Sequence, residues 1–468
     1  MTNTPPTKTM RYEEDSLGAV AIPCDALWGA STARALSFFS FTGQTMPCEI
    51  IHAFGLVKQL AAQANKALKR LDPKHADAII NAAKAVQSGA LDAHFPLPIW
   101  QTGSGTATHM NVNEVIANQA NLSLGQALGT KKPIHPNDHV NLGQSSNDTM
   151  GTVMHLAALG AMKKKLFPAL TGIEEALAAK SALFKDVIKV GRTHLQDAAP
   201  LTVGQELHTF VCTLQQAKVR LQQATSRLYT LAQGGTAVGT GLNTHPDFAK
   251  LFAQLLSDET GETFTPHPHP FVLLATHDDL VSLGCELSIL AGSLFKMGSD
   301  LRLLASGPRC GLKEYVLPAN EPGSSIMPGK VNPTQIESLL MVCVKVKGLA
   351  TALMHAGFDG QLQLHVMKPL IISHLLEMIS LLSCAMHNMT NHCIKGLALN
   401  KKTIGTNLEQ ALMLVTALTP HIGYDKAALL AKHALENDLP LKEAAIKLKL
   451  VSAEDFDRWV NPAQMLAP

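Results

Sequence analysis

The sequence predicts a mainly α-helical protein of three domains with a bundle of long helices at its centre. Two observations carry this: three long segments repeat apolar residues at alternating steps of three and four, and 468 residues exceed what one hydrophobic core usually serves. From Asp278 to Ala305 the seam is Leu280, Leu283, Leu287, Leu290, Leu294, Met297, Leu301 and Leu304. From Glu206 to Ala232 it is Phe210, Leu214, Ala217, Leu221, Ala224, Leu228 and Leu231. From Thr334 to His355 it is Ile336, Leu339, Cys343, Val346, Ala350 and Leu353. This is the spacing of helices packed side by side, each running roughly 30–45 Å at 1.5 Å per residue. Small residues at 217, 224, 343 and 350 permit close approach. One chain leaves apolar stripes uncovered, so a helical oligomer is expected.

Residues 1–142 precede the bundle and mix a short extended run, Gly18–Pro23, with a helix from Glu49 to Arg70 and loops. The long-helix domain spans 143–402. Residues 403–468 form a small helical domain containing Lys442-Glu-Ala-Ala-Ile-Lys-Leu448.

With 46% apolar and 16% charged residues, the chain is neither disordered nor fibrous. A net charge of +2 with scattered Lys and Arg gives no footprint for nucleic acid. The eight cysteines form no C-x-x-C pair, several lie on apolar helical faces, and reduced thiols in a cytoplasmic compartment are expected. The N-terminus lacks the regions of a signal peptide, and no run of about 18 uncharged apolar residues suggests a membrane partner.

Polar residues gather in a few loops. Gly323-Ser-Ser-Ile-Met-Pro-Gly-Lys-Val-Asn-Pro333 combines two hydroxyls, a cation and an amide. Asn332 is placed to cap the helix that follows, with Pro333 at its first position and Gln335 completing the box. Such a loop at a helix N-terminus suits an anion. In Gln101-Thr-Gly-Ser-Gly-Thr-Ala-Thr-His109, Ser104 and Thr106 flank Gly105; no Gly-Lys-Ser/Thr follows, so it is not a phosphate-binding P-loop. His135 to Asp148 is dense in polar groups and reads as an N-cap cluster at Asn147 and Asp148. Gly191-Arg-Thr-His-Leu-Gln-Asp197 carries His194. The Gly-rich turn Gly234–Asn243 lacks the preceding strand of a dinucleotide site, and His267 and His269 lack further metal ligands nearby.

In this order, these stretches resemble the class II fumarases of the aspartase/fumarase superfamily. The resemblance runs from Asp25-Ala-Leu-Trp-Gly-Ala30 through the loops above and Leu304-Ala-Ser-Gly-Pro-Arg-Cys310 to Leu414-Val-Thr-Ala-Leu-Thr-Pro-His-Ile-Gly-Tyr-Asp-Lys426. The pattern G-S-S-x-M-P-x-K-x-N-P is highly specific for the superfamily. The continuation Gly329-Lys-Val-Asn-Pro-Thr-Gln335 is similar to fumarases rather than aspartases.

The resemblance implies a three-domain fold whose long helices build a 20-helix core in a homotetramer, with active sites drawn from three subunits. It implies fumarate hydratase activity, the reversible anti elimination of water from (S)-malate. Ser324 is then the base acting through an aci-carboxylate intermediate, and His194, oriented by Glu337, handles the departing water. Residues alone leave open whether Ser324 or His194 takes the carbon-bound proton. Substrate-binding positions carried over are Ser104, Gly105, Thr106, Ser145, Ser146, Asn147, Thr193, Ser325, Lys330, Val331 and Asn332. His135, Pro136, Asn137 and Asp138 match a peripheral dicarboxylate site. No metal or organic cofactor is implied. The rival readings are an aspartate ammonia lyase and a non-catalytic paralogue.

The chain departs from commonly seen family residues at His109 and His365, where Asn is usual. It departs at Leu142 and Gly143, within a usual Val-Asn-Lys-Ser-Gln, and at Pro270 and Val272, within a usual Asn-Lys-Phe-Glu.

Overall fold

The computed structural model describes residues 9–466. Among these residues the chain forms seventeen α-helices, and extended structure is confined to two-stranded ladders. The hairpin β1 (Met10–Asp15) and β2 (Gly18–Pro23) is antiparallel, with Met10 opposite Pro23; β2 is the predicted extended run. There follow α1 (Ala30–Phe38), α2 (Cys48–Ala67), α3 (Pro73–Gln87) and α4 (Thr106–Ser123). The helix expected to reach Arg70 stops at Ala67, because Lys69 takes φ +57 and leaves the helical basin. α3 starts where Asp72 accepts the N–H groups of Lys74 and His75, with Pro73 at the first helical position.

Next come α5 (Ser146–Ala161), α6 (Phe167–Leu183), the antiparallel hairpin β3 (Ile188–Thr193) and β4 (Gln196–Thr202), α7 (Val203–Ser226), α8 (Phe248–Thr260) and α9 (Pro270–Ala275). The long helices α10 (Asp278–Leu304), α11 (Thr334–Gly357) and α12 (Lys368–Met389) complete the bundle segments. α13 (Lys401–Gln410), α14 (Thr419–Ile422), α15 (Tyr424–Glu436), α16 (Leu441–Lys447) and α17 (Ala453–Trp459) close the chain. Their core gathers Leu414, Leu418, Leu430, Ala444 and Phe456, with Val190 of β3.

Every residue of the three predicted seams is buried. The seam through α7 outlasts the helix: Arg227–Tyr229 tightens into a 3₁₀ turn and Thr230–Leu231 is extended, yet Leu228 and Leu231 stay buried. By length and composition α10, α11 and Lys368–Ile394 are long and apolar enough to cross a membrane, though each carries charged residues. The buried seams show one use of that apolarity within the protein. No disulfide joins the eight cysteines, and only Cys343 and Cys393 are buried, so the core reading of cysteine holds for those two.

Contacts divide the chain into two compact units. The first holds the chain through Phe167, Val219–Ile289 and Lys345–Leu382; the second holds Pro168–Lys218, Leu290–Val344 and the chain from Ser383 onward.

Candidate active site

In the first unit, two helix N-termini bring three hydroxyls into line. α4 opens at Thr106 behind Gly105, which takes φ +79, a conformation glycine adopts without a steric penalty. A Cβ at Gly105 would also meet the Met150 side chain at 2.9 Å. Ser104 Oγ lies 2.8 Å from Thr106 Oγ1, which lies 2.8 Å from the Oγ of Ser146, the first residue of α5. Helix N-termini present unpaired N–H groups and positive dipole ends, so this is a place for an anion.

The cap of α5 is Ser145, not the Asn147–Asp148 pair that sequence suggested. Ser145 Oγ accepts the Asn147 N–H at 3.2 Å, and Asp148 accepts the Ser145 N–H at 2.9 Å, a closed capping box. The Asn147 side chain donates to Ala237 O at 2.7 Å. Asp148 is fully buried, and its other oxygen accepts the N–H groups of Gly234 and Thr236, both at 2.9 Å. The Gly-rich turn, unassigned by sequence, is therefore the cradle of this carboxylate. Burial pushes the Asp148 carboxyl above its usual range against these amide donors.

Two buried lysines stand close to this cluster, and sequence reading missed both. Lys368 donates from Nζ to Asn147 O at 2.7 Å. Burial lowers its pKa to about 8, with the Asp148 charge opposing. Lys58 donates to Asn141 Oδ1 and Gln144 Oε1, both at 3.0 Å, and lies 2.7 Å from His109 Nε2. Burial pushes it far below the ordinary lysine range, again opposed by Asp148. One signal was present: Lys58 falls on the stripe Phe54, Lys58, Ala61 and Asn65, where a cation interrupts a buried helix face.

The departures at His109 and His365 also fall here. His109 Nε2 is 2.8 Å from Asn141 Oδ1 and 2.7 Å from Lys58 Nζ, so it either donates to the amide oxygen or accepts from the ammonium, not both. His365 Nε2 donates to Ala356 O at 3.0 Å and its ring meets His277 edge-on at 5.0 Å. The peripheral stretch folds into a tight turn: His135 Nδ1 accepts the N–H groups of Asn137 and Asp138 and lies 3.4 Å from the Asp138 carboxylate. Pro136 is buried while Asn137 and Asp138 are exposed.

In the second unit, the Ser324 loop folds on itself. Gly323 N–H donates to Lys330 O at 2.8 Å, Asn332 Nδ2 donates to Gly323 O at 2.6 Å, and Lys330 Nζ donates to Asn332 Oδ1. The Asn332 side chain is thereby committed to the loop and does not cap α11; the Pro333 carbonyl accepts the Glu337 N–H instead. Ser324 Oγ accepts the N–H groups of Ile326 at 3.2 Å and Met327 at 2.9 Å. Ser325, Lys330 and Val331 are exposed.

His194 sits at the tip of the β3–β4 hairpin, where Thr193 pairs with Gln196. His194 and Leu195 both have positive φ, +56 and +60, the geometry that two-residue hairpin turns require. Below the tip, Lys189 pairs with Glu206 at 2.8 Å and Glu314 at 3.0 Å, Arg192 pairs with Glu314 at 2.8 Å, and Tyr315 donates its hydroxyl to Glu206. A groove of about 460 Å³ opens beside His194, lined by Lys189, Arg192, Glu206 and Lys296. Glu337 is exposed in the first turn of α11, and within one chain it shares no hydrogen bond with His194 among the described residues. Among the same residues, no cluster of three His, Cys, Asp or Glu side chains is arranged to hold a metal ion.

Residues 18–348 match the family model described as Lyase, and residues 414–467 match the one described as Fumarase C C-terminus. A fumarate hydratase class II of Thermosynechococcus vestitus is 52% identical, covering 98% of this chain and 98% of its own. The chain belongs to the class II fumarase family. A mitochondrial fumarate hydratase of Rhizopus oryzae is 51% identical, with 98% and 93% covered. The crystal structure of a class II fumarase from Schistosoma mansoni has a TM-score of 0.96 and 44% identity, covering 98% of this chain and 99% of that one. A fumarate lyase:delta crystallin from Brucella melitensis has a TM-score of 0.94 at 38% identity, with 98% and 100% covered. Family membership accounts for the order of the polar stretches.

Proposed function

We infer that the chain is a fumarate hydratase that interconverts (S)-malate and fumarate by reversible anti elimination of water. The observation that carries the mechanism is Ser324 Oγ, which accepts two backbone N–H groups. Amide dipoles already aimed at the oxygen lower the cost of its ionisation, and the Lys330 ammonium of the same loop adds positive potential. This support favours Ser324 over His194 as the group that takes the proton from the carbon beside a carboxylate. The electron pair delocalises into that carboxylate as an aci-carboxylate dianion. Carbon–oxygen cleavage then releases the hydroxyl, which His194 protonates to water.

The hydroxyls of Ser104, Thr106, Ser145 and Ser146, with Asn147, Thr193, Ser325, Lys330 and Asn332, supply carboxylate contacts. No step uses a metal. The proposed assembly is a cytoplasmic homotetramer whose sites draw on three subunits. Exposed Met341 and Val344 on α11, and Ile289 on α10, offer apolar surface for it. Glu337 and His194 share no hydrogen bond within one chain among the described residues, and their pairing is proposed to form across subunits. The turn from His135 to Asp138 is proposed as a peripheral dicarboxylate site.

Ultraviolet absorbance of fumarate, followed with (S)-malate and with L-aspartate in separate cuvettes, tests the reading. A rise with malate alone is expected. A rise with aspartate alone makes the chain an ammonia lyase, and silence with both from a folded tetramer makes it a non-catalytic paralogue.

A further inference from the structure

We propose that Lys368 is a positioning residue for this dehydration: it ties together the two loops that carry the hydroxyls and sets a buried cation beside them. The proposal rests on the fumarate hydratase reading. Lys368 opens α12 and is fully buried. Its backbone N–H donates to Gly103 O at 2.9 Å, and its Nζ donates to Asn147 O at 2.7 Å. The main chain of one residue thus holds the loop that delivers Ser104 and Thr106, while its side chain holds the first turn of α5. The preceding residues tighten the clamp. A Cβ on Gly103 would fall 1.6 Å from Val366 O, so the two backbones touch at a point that only glycine permits. The 2.8 Å contact between Thr106 Oγ1 and Ser146 Oγ spans the same two loops.

Among the described residues no carboxylate lies within ion-pair distance of Lys368, and the one acceptor for Nζ is a carbonyl. Asp148 on α5 is the charge that opposes its desolvation, and that carboxylate is already held by three backbone N–H groups. The other titratable groups facing it, His277 ahead of α10 and His365 ahead of α12, are both pushed toward the neutral form by burial and by Lys368 itself. The ammonium therefore keeps positive potential that a ligand carboxylate can use. With its pKa near 8, that potential is present below pH 8 and fades above it.

Lys368→Met removes the charge at nearly constant length, and Lys368→Gln keeps a donor for Asn147 O without charge. Both are expected to lower kcat/KM for (S)-malate by about 100-fold, mainly through KM, and to remove an alkaline fall in wild-type kcat/KM centred near pH 8. A purely structural lysine would lower the melting temperature and leave KM and the pH profile of the folded tetramer unchanged. That result, or a wild-type profile flat through pH 8, overturns the proposal, and the profile decides if neither variant folds. Wild-type protein inactive on malate would sink the hydratase reading separately. Succinate binding by calorimetry then judges Lys368: loss of binding in Lys368→Gln supports the clamp, and equal or absent binding in both proteins overturns it.

Discussion

Met327 donates its backbone N–H to the Oγ of Ser324 at 2.9 Å. An oxygen held this way is a prepared acceptor, and the loop around it is closed by its own hydrogen bonds. Replacing Ser324 by Ala should therefore leave the loop and the oligomer intact while removing the base. The expected loss in kcat is on the order of 10⁴-fold, read from fumarate absorbance alongside size-exclusion chromatography. A variant that keeps near-normal turnover would end the assignment.

Thr106 occupies the middle of the hydroxyl chain, 2.8 Å from both Ser104 Oγ and Ser146 Oγ. Thr106→Val preserves shape and deletes the central hydroxyl. A hydrogen bond to a charged group is worth about 1.5–3 kcal/mol, so kcat/KM should fall by roughly 10- to 100-fold. The melting temperature should change little, because the residue is half-buried at a helix start. Steady-state kinetics with (S)-malate checks this, and unchanged kinetics would place the carboxylate elsewhere.

His109 is buried, and burial together with the neighbouring Lys58 ammonium drives its pKa well below 6.5. The folded state then binds fewer protons than the unfolded state below pH 6.5. Stability contributed by the neutral ring is present above that pH and is lost as pH falls, by about 1.4 kcal/mol per unit for one such group. His109→Asn should flatten the decline of melting temperature between pH 6.5 and 5 relative to the wild type. Parallel curves for the two proteins would show that the ring is not what titrates.

The long helices were legible because a buried seam needs only one residue class at a fixed spacing, and Leu280 to Leu304 supply it without interruption. The candidate site was legible only as loops. Gly105, Ser324 and Lys330 announce themselves by a composition unlike that of a core, whereas Lys58 and Lys368 sit among apolar neighbours and read as ordinary helix residues. What makes them functional candidates is the company of Asn141, Gln144 and Asn147, residues distant in sequence that only folding brings near. The cap of α5 was misplaced for a related reason. Asp148 serves the cap only from the third helical position, through one oxygen that accepts the Ser145 N–H, while Gly234 and Thr236 from a loop distant in sequence take the other. Asn332 was lost to its own loop in the same way, through Gly323 and Lys330.

Glu314 is the buried anchor of the hairpin that presents His194. Arg192 reaches it at 2.8 Å and Lys189 at 3.0 Å, and both cations lie on β3. Burial raises its pKa, but the bonds from Arg192 and Lys189 outweigh burial and hold it below 4.5. Its stabilising charge is therefore present above pH 4.5 and lost as pH falls through the lower folded value. Glu314→Gln leaves the buried Lys189 with Glu206 and the half-buried Arg192 with only a 3.9 Å contact to Asp197. Breaking a buried ion pair by removing one partner costs about 3–5 kcal/mol, so the denaturation midpoint at pH 7 should fall clearly and its acid dependence should weaken. Loosened β3 also frees the turn at His194 and Leu195, whose paired positive φ values are held against their steric preference. Turnover should drop in the folded fraction and succinate should bind more weakly, since Thr193 on the same strand is a proposed carboxylate contact. A variant with wild-type stability and turnover would show that the hairpin is held by its ladder alone.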